Sequence, residues 1–356
     1  MVQNLNQLIF QSKLDTLGQS ATTSTLKKST KATVTVHGKG THISKAEVIE
    51  RRTKKKVITQ SIALALIDVC KTKEKSQKLE NSFWNTFYCQ NKITSVNGRI
   101  YVNYCKNMLC PVCNGIRKAE LINKYLPIVK NWSDAYFVTI TAKAVPAKSL
   151  VKRVNQMVDR FTRIKNKLRK RHQRNKGIKF YGIKSVECNF NPKKRTYNPH
   201  FHFIFPSKEL AELFMSEWLT MLGEKFASYK GQHKRKVKDT ERDMIEIIKY
   251  GTKNFTNPEG KERANTNTTH FVYASAMYNI FNALKGHRLF ERFGFDLPKQ
   301  EIEKIEPQQL NEYKEFEFDA EVGNWVDVKT DEVFSTYRIK ELVKLDLENN
   351  IIMDIN

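Results

Sequence analysis

The sequence predicts an α+β fold, with strands in the middle of the chain, amphipathic helices around them and a helical, cysteine-bearing lobe ahead of them. Three observations predict it. "AYFVTITAK" (135–143) alternates β-branched and aromatic residues and ends before Pro146, as a strand does. "GIKSVECNF" and "TYNPHFHFIF" read as two further strands around the turn "NPKKR". Residues 149–174 place Leu150, Val151, Val154, Met157, Val158, Phe161, Ile164 and Leu168 at i, i+3, i+4 spacing, which is an amphipathic helix.

Taken in order, residues 1–45 are rich in Ser, Thr, Lys, Gln and Asn and read as a flexible basic arm with at most a short hairpin. Residues 46–78 read as a helix whose apolar part is "SIALALIDVC". A cysteine-bearing segment covers 83–116, and a helix follows to about residue 125. After the central strands come helices near 208–222, 239–250 and 272–284. Beyond Pro298 an acidic extension shows one hairpin-like stretch, "FEFDAEVGNWVDV". The division this suggests is an arm (1–45), a helical segment with a four-cysteine site (46–132), a central domain (133–297) and an acidic extension (298–356).

The chain has 356 residues and a formal charge of +25, unevenly spread: residues 301–356 carry −9 and the rest +34. Such a body attracts polyanions by counterion release, nucleic acid before a membrane surface. The longest apolar run near the N-terminus, "IALALIDVC", is too short to span a bilayer and no cleavable signal precedes it, so a cytoplasmic protein is expected. There, six cysteines point to metal binding or reduced thiols rather than disulfides. No GxxxxGK[ST] loop occurs, so no ATPase motor is read.

His200 and His202 lie two apart in "PHFHFIF", so in a strand they project from one face while Phe201 and Phe203 project from the other. They are either ordinary half-buried histidines or half of a divalent metal site. If the turn is centred on Lys193 and Lys194, Glu187 falls directly across from His200 and completes a His/His/carboxylate set suited to Mg²⁺ or Mn²⁺. A bulge or an odd loop would turn Glu187 away.

Downstream, "ERDMIEIIKYGTKNF" puts Glu246, Tyr250 and Lys253 on one helix face. A phenol with a pKa of about 10 is a poor nucleophile. It becomes competent at phosphorus if a metal polarises the phosphate and Lys253 stabilises the charge, with Glu246 as proton acceptor. The basic face of the 149–174 helix (Lys152, Arg153, Arg160, Arg163, Lys167, Arg169, Lys170, Arg171) is either a solvated surface or a phosphate track for DNA.

Together, "PHFHFIF", then "EIIKYGTK", then "NALKGHRLFERFG" resemble the rolling-circle replication initiators of small bacterial plasmids, HUH endonucleases with a single catalytic tyrosine. "YFVTITAK" and "CKNMLCPVCNGIRKAE" resemble further segments of the same family, and the likeness covers about 104–295. It implies an antiparallel sheet of about five strands with the metal on its open face and the tyrosine helix beside it. It also implies nicking at a plasmid origin by Tyr250 through a 5′-phosphotyrosine, His200 and His202 as metal ligands, and Glu246 as the carboxylate that lets water end the cycle. Two departures, Ile248 in place of Ala and Phe293-Gly294 in place of Gly-Gly, are packing changes that leave this chemistry in place.

Cys89, Cys105, Cys110 and Cys113 give C-x15-C-x4-C-x2-C, either a structural four-thiolate zinc site or reduced core cysteines. Cys70 and Cys188 fall outside this spacing and read as core residues, and the remaining histidines are isolated. Two rival readings stay open: an HUH transposase or relaxase, and a non-catalytic zinc protein that binds nucleic acid. The expected partners are single-stranded or hairpin origin DNA and a host helicase and polymerase, with homodimer formation left open.

Overall fold

The computed structural model describes residues 34–36, 40–42, 46–73, 77–223, 226–248, 267–298 and 307–336. The chain divides into two compact units. In the smaller, Met1–Lys39 with Lys304–Tyr313, the short strands Val34–Val36 and Gln308–Leu310 pair antiparallel.

The larger unit begins with β1 (Thr41–His42) and α1 (Ala46–Lys71). The helix expected over 46–78 is in fact two: α1 stops at Lys71 and α2 covers Gln77–Phe87. Then β2 (Lys92–Val96) and β3 (Arg99–Val102) form a hairpin turned by Asn97 and Gly98. Both turn residues have positive φ, +47° and +69°, as a two-residue turn matched to strand twist requires. α3 (Pro111–Lys130) opens with Cys110 as its N-cap and proline at its first position, where a missing N–H costs nothing.

Next come β4 (Tyr136–Thr141), α4 (Ala147–Gln173), β5 (Gly182–Asn191), β6 (Thr196–Phe205) and α5 (Lys208–Leu222). They are followed by β7 (His233–Lys236), α6 (Thr240–Ile247), α7 (Asn267–Leu284) and β8 (Phe290–Phe293). The acidic stretch supplies the hairpin β9 (Lys314–Asp319) and β10 (Asn324–Asp327), as its alternation suggests.

The expected α+β fold holds, with a five-stranded antiparallel sheet in the order β7-β4-β6-β5-β8. Side chains alternate across it. On one face Phe201, Phe203 and Phe205 are fully buried. They pack on Phe161 of α4 and on Phe214 and Trp218 of α5, with Phe203 and Phe214 rings 4.6 Å apart. Of the eight positions in the stripe that the spacing of α4 specified, Leu150, Val154, Met157, Phe161, Ile164 and Leu168 are buried, Val158 is partly buried, and Val151, expected with them, is instead exposed. On the other face Phe137, Ile183 and Ile204 line up across three strands and pack against Tyr125 and Val129 of α3, Met244 and Ile247 of α6, and Ile248.

A second five-stranded sheet, order β10-β9-β2-β3-β1, joins strands from both ends of the larger unit. Phe316 of β9 faces Ile93 of β2, and the fully buried Trp325 donates its indole N–H to the Gln90 carbonyl at 2.8 Å. No helix among the described residues is long and apolar enough to cross a membrane.

Candidate active site

The β5–β6 hairpin closes through the loop 192–195 without a bulge, and its register sets Glu187 opposite His200 and Ser185 opposite His202. Glu187, His200 and His202 therefore share one sheet face. Glu187 Oε2 lies 3.5 Å from His200 Nε2 and 3.6 Å from His202 Nε2. The two rings stand nearly perpendicular with centroids 4.8 Å apart.

Each ring is held from behind. His200 Nδ1 is 3.0 Å from the Asn198 carbonyl, which can only accept a hydrogen bond, so Nδ1 carries the hydrogen and Nε2 keeps its lone pair in the neutral ring. His202 Nδ1 is 3.0 Å from Thr139 Oγ1, a residue directly across the β4–β6 pair. Such outer hydrogen bonds orient metal-binding imidazoles.

Burial disfavours the charged form of Glu187, yet the neighbouring His200 and His202 outweigh it and hold the carboxyl at about 2. Burial likewise opposes a charge on His200, and the Glu187 carboxylate outweighs it, so the pKa is raised. Glu187 Oε1 is buried without a hydrogen-bond partner. Two imidazole Nε2 atoms, one ionised carboxylate and a spare buried oxygen, with all three ligand atoms within 4.8 Å of one another, form a donor set that fits a divalent cation.

Beside this centre α6 covers the lower half of the same face. Asp239 caps its start by accepting from the Arg242 N–H at 3.0 Å. Asp243, 2% exposed, receives both arms of the Arg235 guanidinium from edge strand β7, one of them at 2.8 Å. Arg235 also lies over the Phe137 ring, 4.8 Å from its centroid. Glu246 is half-buried near the end of α6 and contributes to the raised pKa of Arg235 after Asp243. Tyr250 and Lys253 lie outside the described residues.

The four cysteines converge as well. Cys89 follows α2, Cys105 follows β3, and Cys110 and Cys113 open α3. Cys113 Sγ is 3.6 Å from the sulfurs of both Cys89 and Cys105, and all four lie within 4.8 Å of one another. Backbone N–H groups of Cys105, Asn107 and Cys113 point at the sulfurs of Cys89, Cys105 and Cys110 at 3.4, 3.4 and 3.5 Å. Hydrogen bonds from Cys110, Cys113 and Cys89 hold the Cys105 thiol below its usual range.

Lys56, fully buried, donates to the carbonyls of Phe87 and Cys89, both at 2.8 Å. Burial lowers its pKa to about 8, and the charges raising it are those of Cys89, Cys110 and Cys105. A buried ammonium beside four sulfurs complements a net-negative four-thiolate zinc centre, so the cluster fits the metal its spacing suggested.

The eight cations of α4 are placed differently. Because α4 covers the Phe201/Phe203 face, its basic side lies on the far side of the sheet from His200 and His202. Three of the eight meet carboxylates: Arg163 pairs with Asp159, and Lys167 and Arg171 share Glu217. Arg153 donates to the Lys143 carbonyl and lies over the Phe226 ring. Lys152 and Lys170 are exposed and Arg160 is half-buried. Arg169 lines a cavity of about 860 Å³ with Lys179, Arg288 and Arg292. Sequence reasoning missed Thr139, Asn198, Arg235, Asp243 and Lys56. Only strand register could have revealed the first of these.

Residues 99–340 match a family model described as Replication protein. A curated relative, Protein rep of Streptococcus pneumoniae, is 32% identical over 117 residues, covering 31% of this chain and 35% of that protein. Protein rep of Staphylococcus aureus is 32% identical over 109 residues, 29% of this chain and 44% of the relative. Protein rep of Bacillus amyloliquefaciens is 24% identical over 111 residues, 30% and 31% of the two chains. The aligned stretches thus span less than half the length of each of these relatives. No solved structure matches the chain. The family match covers well over half of the sequence and includes both metal-competent clusters apart from Cys89, in line with the motif resemblance: this chain belongs to the replication protein family.

Proposed function

We propose that this protein starts rolling-circle replication of a bacterial plasmid by nicking one strand of the origin and later rejoining it. The observation that carries the reading is the convergence of His200 Nε2, His202 Nε2 and Glu187 Oε2 on one sheet face in a member of the replication protein family. Mg²⁺ or Mn²⁺ held there would polarise a phosphate oxygen of the DNA.

The remaining chemistry falls to the chain. The Tyr250 oxygen attacks the phosphorus and gives up its proton, for which Glu246 is the acceptor. The bond from phosphorus to the 3′ oxygen breaks, and that oxygen takes up a proton and leaves as a hydroxyl. Tyr250 then carries the 5′ phosphate as an ester, while Lys253 offsets charge on the phosphoryl group. One phosphoester replaces another, so the reverse attack rejoins strands without ATP, consistent with the absent phosphate loop. The free 3′ hydroxyl would serve a host polymerase, with a host helicase separating strands in the cytoplasm. Zinc on Cys89, Cys105, Cys110 and Cys113 would stiffen the lobe, since four thiolates leave no open position for catalysis.

The test is incubation with single-stranded origin DNA and Mn²⁺. A covalent protein–DNA adduct is expected, absent in Tyr250→Phe. Cleavage retained in that variant would remove Tyr250 from the role. Binding with no adduct in the wild type would favour a non-catalytic zinc protein that binds nucleic acid.

A further inference from the structure

A cleft of about 530 Å³ opens beside Phe290, between α3, the end of α7 and the segment that links Cys105 to Cys110. Its size is in the range of small-ligand sites. Its position is fixed by register. Phe290 pairs with Ser185, and Ser185 with His202, so all three side chains share a face. Two strand spacings, roughly 10 Å, separate the Phe290 and His202 backbones.

The lining has two chemistries. Met108, Leu121, Phe281 and Phe290 supply apolar surface, and Lys106, Arg117 and Lys285 supply charge. No carboxylate lines the cleft, and among the described residues none of the three cations is paired with one. Arg117 Nη2 donates to the Lys106 carbonyl at 2.9 Å, which fixes the guanidinium against the wall. The cavity of about 860 Å³ on the other side of Phe290 differs: Glu291 and Asp296 line it, and each is paired with a cation.

We propose that the cleft beside Phe290 binds one nucleotide of single-stranded DNA, a near neighbour of the one whose phosphate meets Glu187, His200 and His202. The inference rests on the nicking reading for the identity of the polymer. A base has an apolar face that packs on side chains such as Phe281 and Phe290 whatever its sequence. Its flanking phosphates need cations, which Lys106, Arg117 and Lys285 provide. The wall that carries Lys106 is anchored at both ends by the cysteine cluster, which gives that lobe a part in holding substrate.

The experiment measures binding of fluorescein-labelled oligothymidylate in buffer without added Mg²⁺ or Mn²⁺ and without chelator, so that the cysteine cluster stays as purified. Lys106→Ala/Lys285→Ala should weaken binding roughly tenfold and reduce the slope of log affinity against log salt by about two. Lys92→Ala/Lys314→Ala, which removes equal charge from the other sheet, should change affinity less than about twofold. Equal losses in the two double variants would overturn the site, because charge alone would then explain them. Photocrosslinking with 5-iodouracil DNA should mark the peptides holding Phe281 and Phe290, and crosslinks confined to other segments would overturn it too. The two proposals fail separately. An adduct formed by wild type together with unaltered binding by the Lys106/Lys285 variant sinks only the cleft. The expected binding loss without any adduct upholds the cleft and sinks the nicking chemistry.

Discussion

Arg235 on edge strand β7 grips Asp243 of α6 with both arms of its guanidinium, and Asp243 is 2% exposed. This pair fastens to the sheet the helix that precedes Tyr250 in sequence by three residues. Asp243→Asn leaves Arg235 without the carboxylate that both arms of its guanidinium grip. Because Arg235 is 42% exposed, solvent screening reduces the loss to about 2 kcal/mol. The expected outcome is a melting temperature lower by a few degrees and slower adduct formation, with Mn²⁺ affinity unchanged by calorimetry. A parallel fall in Mn²⁺ affinity would show that the pair supports the histidines instead.

Thr139 stands behind His202 and is expected to act through it. Thr139→Val keeps the shape and removes the hydroxyl 3.0 Å from Nδ1. Mn²⁺ binding should weaken about tenfold, as for loss of an outer partner of a metal-bound imidazole. Glu187→Gln should weaken it much more, since the carboxylate would be a direct ligand in the proposed site. Equal effects from the two variants would contradict this ordering.

The pH dependence has a definite sign. His200 is raised above its ordinary 6.5, burial being outweighed by Glu187, and Glu187 at about 2 stays ionised throughout the neutral range. In metal-free protein the protonated His200 stabilises the fold below pH 6.5, and that contribution is lost as pH rises through the raised value. A cation needs the neutral ring, so it takes over where the proton leaves. Thermal stabilisation by Mn²⁺ should therefore be small near about pH 6 and grow toward about pH 8. A shift that shrinks across that interval would rule out His200 as a ligand.

Zinc is expected at about one per chain after dialysis. A strong chelator should lower the melting temperature, and Cys113→Ser should do the same and release the metal. Cys188→Ser, at a buried thiol outside the cluster, should leave the zinc content intact. Wild-type protein with no zinc would reject the cluster as a metal site.

Much of the centre was legible before any coordinates. Periodicity of two placed His200 and His202 together, and a loop count placed Glu187, because a hairpin without bulges leaves register as simple arithmetic. Most of the α4 stripe was legible for the same reason, although Val151, which shares the spacing, stays exposed because no element among the described residues packs over it. What was hidden depends on partners far along the chain. Thr139 is an unremarked residue until its strand pairs with β6, and Asp243 looks like a solvated acid until Arg235 arrives from β7. The break between α1 and α2 was passed over because "KTKEKSQK" contains neither glycine nor proline. The Asn97-Gly98 turn was a local signal, overlooked amid the cysteines that flank it.

The pairing of β2 with β9 has a consequence for biosynthesis. Residues 92–96 leave the ribosome long before residues 314–319, and the whole histidine-bearing sheet is made in the interval. Until then Ile93 and Ile100 have no Phe316 or Trp325 to cover them, and β2 presents a bare hydrogen-bonding edge. A nascent chain released early would thus leave Ile93, Ile100 and that edge uncovered, a ready target for chaperones and proteases.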